Sequence, residues 1–222
     1  MNTFDVLQIA LSLFAIGAAA PFLGKFFSKV YQDEPHLMRK PFGWIERFSA
    51  RIVGKPYDTE MDWKEYAKAL LLFNAVGFVF VFALQLLQAK LPLNPQALGG
   101  VSWHLALNTA ISFVTNTNWQ SYAGETTLSY FVQMAALTVQ NFLSAATGMA
   151  VAVALARGFS RKNTSLLGNF WKDLTRGVVY ILLPASLLLS TVLISEGVVQ
   201  NFAPPVEVAT VEGGKQSLPM GP

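Results

Sequence analysis

Apolar residues in this chain gather into long unbroken runs separated by short polar connections. Four runs without formal charge are long enough to cross a bilayer: residues 6–24, 69–89, 126–156 and 177–195. A hydrocarbon core needs about 20 residues of helix, so the pattern predicts four transmembrane helices. The run at 126–156 is too long for an upright span and predicts a helix that tilts or projects beyond the membrane. Pro21 falls near the end of the first run and Pro184 inside the fourth, where a membrane helix tolerates a kink.

Between the second and third runs lie residues 90–125. Residues 91–100 are rich in Pro, Gly and Asn and read as turns. Residues 102–114 read as a helix with Ser102 as its N-cap. A helix of that length rises only about 20 Å. That is too short to cross a bilayer, so the segment predicts a re-entrant helix that enters and stops. The loop that follows, 115–125, reads Thr-Asn-Thr-Asn-Trp-Gln-Ser-Tyr-Ala-Gly-Glu. Backbone at membrane depth must be hydrogen-bonded internally or line a watery cavity. An uncharged loop offering carbonyl oxygens there is how a cation filter is built. Asn and Thr are equally the residues of an external turn, and the composition of the loop leaves both readings open.

A re-entrant helix entering from outside points its C-terminal end toward the membrane centre, where its partial negative charge favours a cation. No acidic residue lies between Ser102 and Gly124. Binding would therefore rest on dipoles, which suits K⁺ better than Ca²⁺ or Mg²⁺, whose sites recruit carboxylates. The third run carries Gln133, Gln140, Asn141, Ser144, Thr147 and Gly148, and helical spacing sets all but Asn141 along one face. That face predicts interhelical hydrogen bonding or a vestibule beneath the loop. Asn74 and Gly77 on the second run predict packing positions.

Charge gives the orientation. Of the 222 residues only 13% are charged, against about 25% in a soluble domain. The loops at 25–64 and 157–176 hold thirteen Lys and Arg between them, and the other side holds only Lys90 and Lys215. The positive-inside rule then makes both basic loops cytoplasmic and both termini extracytoplasmic. The segment 25–64 predicts an irregular cytoplasmic loop with a short amphipathic helix near 44–53, lying on the membrane surface. Residues 1–5 lack a basic residue, so the first run predicts a retained span and no normal secretory signal. No basic helix or aromatic-basic platform predicts a nucleic-acid partner. The chain has no cysteine, which excludes disulfides and thiolate catalysis. His36 and His104, the two histidines, fall on opposite membrane faces and cannot share a metal or form a catalytic pair. No nucleophile–base arrangement or phosphate-binding glycine loop supports an enzyme.

Six segments carry a specific resemblance: Met61-Asp-Trp-Lys-Glu-Tyr66, Leu91-Pro-Leu-Asn-Pro-Gln96, Leu105-Ala-Leu-Asn-Thr-Ala110, the stretch from Phe113 to Tyr130, Leu137-Thr-Val-Gln-Asn-Phe-Leu-Ser-Ala-Ala146, and Leu218-Pro-Met-Gly-Pro222. The chain resembles the potassium-binding subunit of the Kdp-type potassium-transporting ATPases. The resemblance implies a multi-pass protein of the bacterial inner membrane that binds K⁺ from outside. It implies delivery of the ion to a P-type ATPase catalytic subunit, with small accessory membrane subunits completing the complex. By the motif, Thr115, Asn116, Thr117 and Asn118 fall on the first filter loop, where backbone carbonyls would hold K⁺, and Gln120 falls at its outer mouth. No organic cofactor is implied, and the chain itself is expected to be non-catalytic.

Members of that family are more than twice as long and hold four span–pore loop–span repeats around one pore. The expected fold is thus all-α and integral to the membrane, and covers the N-terminal portion only. Residues 1–24 would be an extra first helix, 65–156 one complete channel-like repeat with its pore helix at 102–114, and 177–195 the first span of the next repeat. Residues 196–222 would be an extracytoplasmic tail. The alternative expectation is a truncated, non-conducting module that folds and assembles with partners.

Overall fold

The computed structural model describes residues 3–221. Four apolar helical segments of bilayer length organise it, at 4–31, 63–90, 132–160 and 170–195. Helix α1 (Thr3–Tyr31) is exposed along most of its length and anchored only at its end, where Val30 and Tyr31 are buried. The surface helix is α2 (Arg39–Val53), longer than the sequence pattern suggests. Its Trp44, Phe48 and Ile52 recur every four residues and stay exposed, as the apolar stripe of an interfacial helix would.

Strand β1 (Met61–Asp62) leads directly into α3 (Trp63–Leu87). Asp62 explains the sharp start. Its carboxylate accepts from the amides of Lys64 at 2.8 Å and Glu65 at 2.9 Å, and Glu65 accepts from the Asp62 amide in return. This reciprocal box satisfies amides that a helix start leaves orphaned. Helix α4 (Trp103–Val114) follows, packed against α3, and the four-residue α5 (Gly124–Thr127) precedes the third long segment.

The apolar run at 126–156 is divided. Leu128 is extended at the end of α5, and the long helix begins beyond it with a π-helical stretch at Val132–Thr138 that continues as α6 (Val139–Ser160). Gln88 fixes the break. Its side chain is 1% exposed, donates to the carbonyls of Gly99 and Thr127, and accepts from the Ser129 amide at 2.9 Å. The helix therefore cannot absorb residues 126–129, but it continues past the apolar run to Ser160, so the segment at 132–160 keeps 29 residues, the excess length expected of a span that tilts or projects beyond the membrane. Strand β2 (Leu166–Gly168) precedes α7 (Phe170–Arg176), a second π-helical stretch (Gly177–Leu182) and α8 (Leu183–Ser195). That stretch falls just before Pro184, whose ring crowds the carbonyl four residues earlier and removes a donor.

The molecule is not purely helical. Strands β1 and β2 pair antiparallel, and β3 (Val206–Ala209) pairs with β4 (Lys215–Leu218) in a hairpin within the tail. The β1–β2 pair joins the two basic loops at one end of the bundle. Asn169 strengthens that join by donating to the carbonyls of Pro56 and Thr59. The hairpin segment meets the other end, where Tyr130 donates to the Ala203 carbonyl at 2.8 Å.

Three apolar clusters hold the helices. One joins α3, α4 and the start of the third span through Val81, Ala110, Phe113 and Val132. A second joins α3, α6 and α7 through Tyr66, Ala146, Ala150 and Phe170. The third packs Val30 and Tyr31 against Val179 and Tyr180.

Candidate ion-binding site

Helix α4 ends at Val114, and its unpaired terminal carbonyls are met by the loop that follows. The Asn116 amide donates to the Phe113 carbonyl at 3.3 Å. The amides of Thr117 and Asn118 both donate to the carbonyl of Ser112, at 3.1 and 3.3 Å, and the Thr117 hydroxyl adds a third donor at 3.2 Å. In a trans peptide the carbonyl points opposite to the following N–H. With the amides of Asn116, Thr117 and Asn118 turned in toward the helix end, the carbonyls of Thr115, Asn116 and Thr117 must point away from it. No hydrogen bond reaches the carbonyl oxygens of Thr115, Asn116, Thr117 or Asn118 among the described residues.

The backbone alternates to achieve this. Asn116 and Asn118 have φ of +56° and +53°, whereas Thr115 has −82°. Asn enters the left-handed region far more readily than most residues, which gives the Thr-Asn-Thr-Asn order a conformational reason. Side chains brace the arrangement. Thr115 donates to the Ile111 carbonyl at 2.8 Å and meets the Thr117 hydroxyl at 3.0 Å. The Asn116 amide oxygen accepts from Asn118 and, across the bundle, from Ser144 on α6, each at 3.3 Å. Gln120 stands slightly apart and donates to the Tyr122 hydroxyl at 3.3 Å.

Two residues that sequence reasoning did not single out hold this site. Ser112 is fully buried, and besides its carbonyl role its hydroxyl donates to the Trp119 carbonyl at 2.8 Å. It thereby closes the loop over residues 113–118. Gln85 is equally buried and donates to the Ala106 carbonyl, fastening α4 to α3. A small hydroxyl residue in the last turn of a short helix was the available signal for Ser112. Of the polar face read on the third span, Gln140, Ser144 and Thr147 are buried, Gln133 is half-buried, and Gly148 is exposed. Gly148 thus does not share the inward face. Ser102 occupies the N-cap position but makes no cap bond, because its hydroxyl meets His104 at 3.3 Å instead. Gly77 is a packing position, since a Cβ there would lie 2.7 Å from the Gln140 side-chain oxygen.

The basic end carries a separate charged network. Arg157 clasps Asp173, which also meets the Tyr66 hydroxyl at 3.2 Å. Arg176, nearly buried, bridges Glu46 at 2.8 Å and Asp33 at 2.7 Å. Burial alone would raise the Glu46 carboxyl, but hydrogen bonds from Tyr180 and Arg176 more than offset this and hold it below its ordinary value.

Four bilayer-length apolar helices with a short helix packed among them define a multi-pass helical membrane protein. Residues 10–222 match the family described as potassium-transporting ATPase A subunit, and the chain belongs to that family. It is 53% identical over 222 residues to a potassium-transporting ATPase potassium-binding subunit of Pseudomonas syringae pv. tomato, covering all of this chain and 39% of the relative. It is 51% identical, with the same coverage, to the subunit of that name from Pseudomonas aeruginosa. To that of Herpetosiphon aurantiacus it is 53% identical over 212 residues, covering 96% of this chain and 36% of the relative. The chain therefore spans about two-fifths of the length of the curated relatives it matches.

Proposed function

We propose that this chain binds K⁺ through the backbone carbonyls of Thr115, Asn116, Thr117 and Asn118, as the first of several loops around an ion path in an ATP-driven potassium import complex. The observation that carries the reading is the run of four unpaired carbonyls, braced from behind by amides that converge on the helix end. Such oxygens replace the hydration shell of a weakly hydrated cation. The C-terminal end of α4 lies directly beneath them and adds its partial negative charge. Gln120 stands at the mouth. Helix α4 re-enters the membrane from the extracytoplasmic side, and the thirteen basic residues of the two joined loops mark the cytoplasmic side.

The ion passes from this loop toward a partner P-type ATPase subunit that hydrolyses ATP, and this chain is non-catalytic. One loop cannot encircle an ion, and residues 115–120 are exposed on their open side. That exposure favours a second reading for the chain by itself: a non-conducting module that assembles with the rest of the pore. K⁺-selective flux through the 222-residue chain alone would refute that second reading.

The test of the first is the K⁺ dependence of ATP hydrolysis in the complete complex carrying Thr117→Asp or Asn118→Ala. Half-saturation by K⁺ should move at least tenfold, equivalent to about 1.4 kcal/mol. Unchanged K⁺ affinity in both variants would remove these residues from the site.

A further inference from the structure

Two cavities meet at the basic end and share four lining residues. The first, about 450 Å³, is an apolar groove between α1 and α6, lined by Phe27, Met149, Val153 and Ala156 among others. Gly24, Ser28, Ala152 and Ala156 along it are exposed, so the groove is open on its flank. The second, about 480 Å³, is a polar chamber formed by the two basic loops. Tyr31, Gln32, Arg157 and Ser160 line both, so the groove runs directly into the chamber.

The chamber has an unusual charge make-up. It is lined by Arg157, Arg161, Lys172 and Arg176 and by the same number of carboxylates, Asp33, Asp58, Glu60 and Asp173. Each cation already has a carboxylate: Arg157 with Asp173, Arg161 with Glu60 at 3.0 Å, Lys172 with Asp58 at 3.7 Å, and Arg176 with Asp33. The pairs differ in depth. Asp173 is 1% exposed, whereas Asp58 is largely open to solvent and Glu60 about half so. Exposed pairs contribute little and are cheaply exchanged, and buried ones are not.

We propose that this composite cavity is a phospholipid site that selects a zwitterionic ethanolamine headgroup. One acyl chain lies in the α1–α6 groove. The headgroup sits in the chamber, its phosphate on Lys172 and Arg161 and its ammonium on Asp58 and Glu60. Both exposed pairs are exchanged for ligand contacts while the Arg157–Asp173 clasp stays intact. An anionic headgroup would supply no partner for the two released carboxylates. The site also falls where a bilayer presents its headgroups, because Lys25 and Lys29 flank the groove on α1 and Arg161 flanks it beyond α6. The proposal involves none of residues 115–120 and stands or falls independently of the K⁺ reading.

Native mass spectrometry of the complete complex in detergent, titrated with dioleoyl phosphatidylethanolamine or dioleoyl phosphatidylglycerol, tests it. The unaltered complex should retain one phosphatidylethanolamine at least fivefold more tightly than phosphatidylglycerol. Ala156→Phe should abolish that preference by filling the groove from α6. Gly24→Leu should do the same from α1, where an added Cβ meets nothing within 4 Å and the fold is not challenged. Lys172→Glu should weaken ethanolamine-lipid retention at least threefold. Equal retention of both lipids, absence of a retained lipid, or a preference unchanged by both groove variants would overturn the proposal.

Discussion

The guanidinium of Arg157 contacts both carboxylate oxygens of Asp173, at 2.6 and 2.9 Å. The residues come from α6 and α7, and the same guanidinium donates to the carbonyls of Leu167 and Tyr31. One side chain thus binds α1, β2 and α7 to α6. Asp173→Ala leaves this cation largely buried without its partner, which costs about 3–5 kcal/mol. Chemical denaturation in detergent micelles should show a loss of that size, and a loss below about 1 kcal/mol would mean that solvent already reaches the pair.

Gly168 is part of the same arrangement. Its φ is +105°, and a Cβ on it would collide with the Arg157 guanidinium. Gly168→Ala should therefore destabilise the protein by about 1–3 kcal/mol through strain alone, and by more if the clasp is displaced. The denaturation midpoint of this variant, compared with Gly54→Ala at another positive-φ glycine with open space around it, separates the two contributions.

Ser112 links the end of α4 to Trp119. Ser112→Ala removes the hydroxyl bond and leaves the carbonyl that collects the loop amides in place. A single neutral hydrogen bond contributes about 1 kcal/mol, so K⁺ half-saturation of ATP hydrolysis in the complete complex should rise roughly fivefold while the maximal rate is kept. A reduced maximal rate at unchanged half-saturation would place Ser112 outside the positioning of this loop.

Glu46 makes stability depend on acidity. Its carboxyl titrates below its ordinary value of 4.5 because the bonds from Tyr180 and Arg176 outweigh burial. A depressed folded-state value means that the unfolded chain takes up the proton first, so this contribution is complete above about pH 4.5 and is lost as pH falls through the lower folded value. Melting measured from pH 6 down to pH 3 should fall more steeply for the native protein than for Glu46→Gln, which should be less stable at neutral pH and flatter in acid.

The four apolar runs and the short helix before the Thr-Asn-Thr-Asn loop were legible in the sequence, whereas on the charged side the helices run on to Tyr31, Trp63, Ser160 and Phe170, past the ends of the apolar runs. The runs and the short helix depend on local periodicity and length, and hydrocarbon burial rewards these wherever the chain goes. The Met61–Tyr66 motif was visible as a family signature, but its work as a strand, a helix cap and a partner for Asp173 was not. The break at Leu128 and Ser129 was hidden for a different reason: an apolar run carries no sign of the distant Gln88 that captures its backbone. The tail hairpin went unread because short exposed strands carry little hydrophobic alternation.

By itself the sequence determined a four-helix membrane chain, the side on which its charge gathers, and the residue types of a carbonyl-bearing loop, because these follow from composition and spacing. Only the tertiary structure decided that Ser112 turns the loop amides inward, that Ser144 reaches Asn116, and that Arg157 and Asp173 meet. Those contacts join residues far apart in the chain or depend on the sign of a backbone angle. Neither property is encoded in any local pattern of apolar and polar positions.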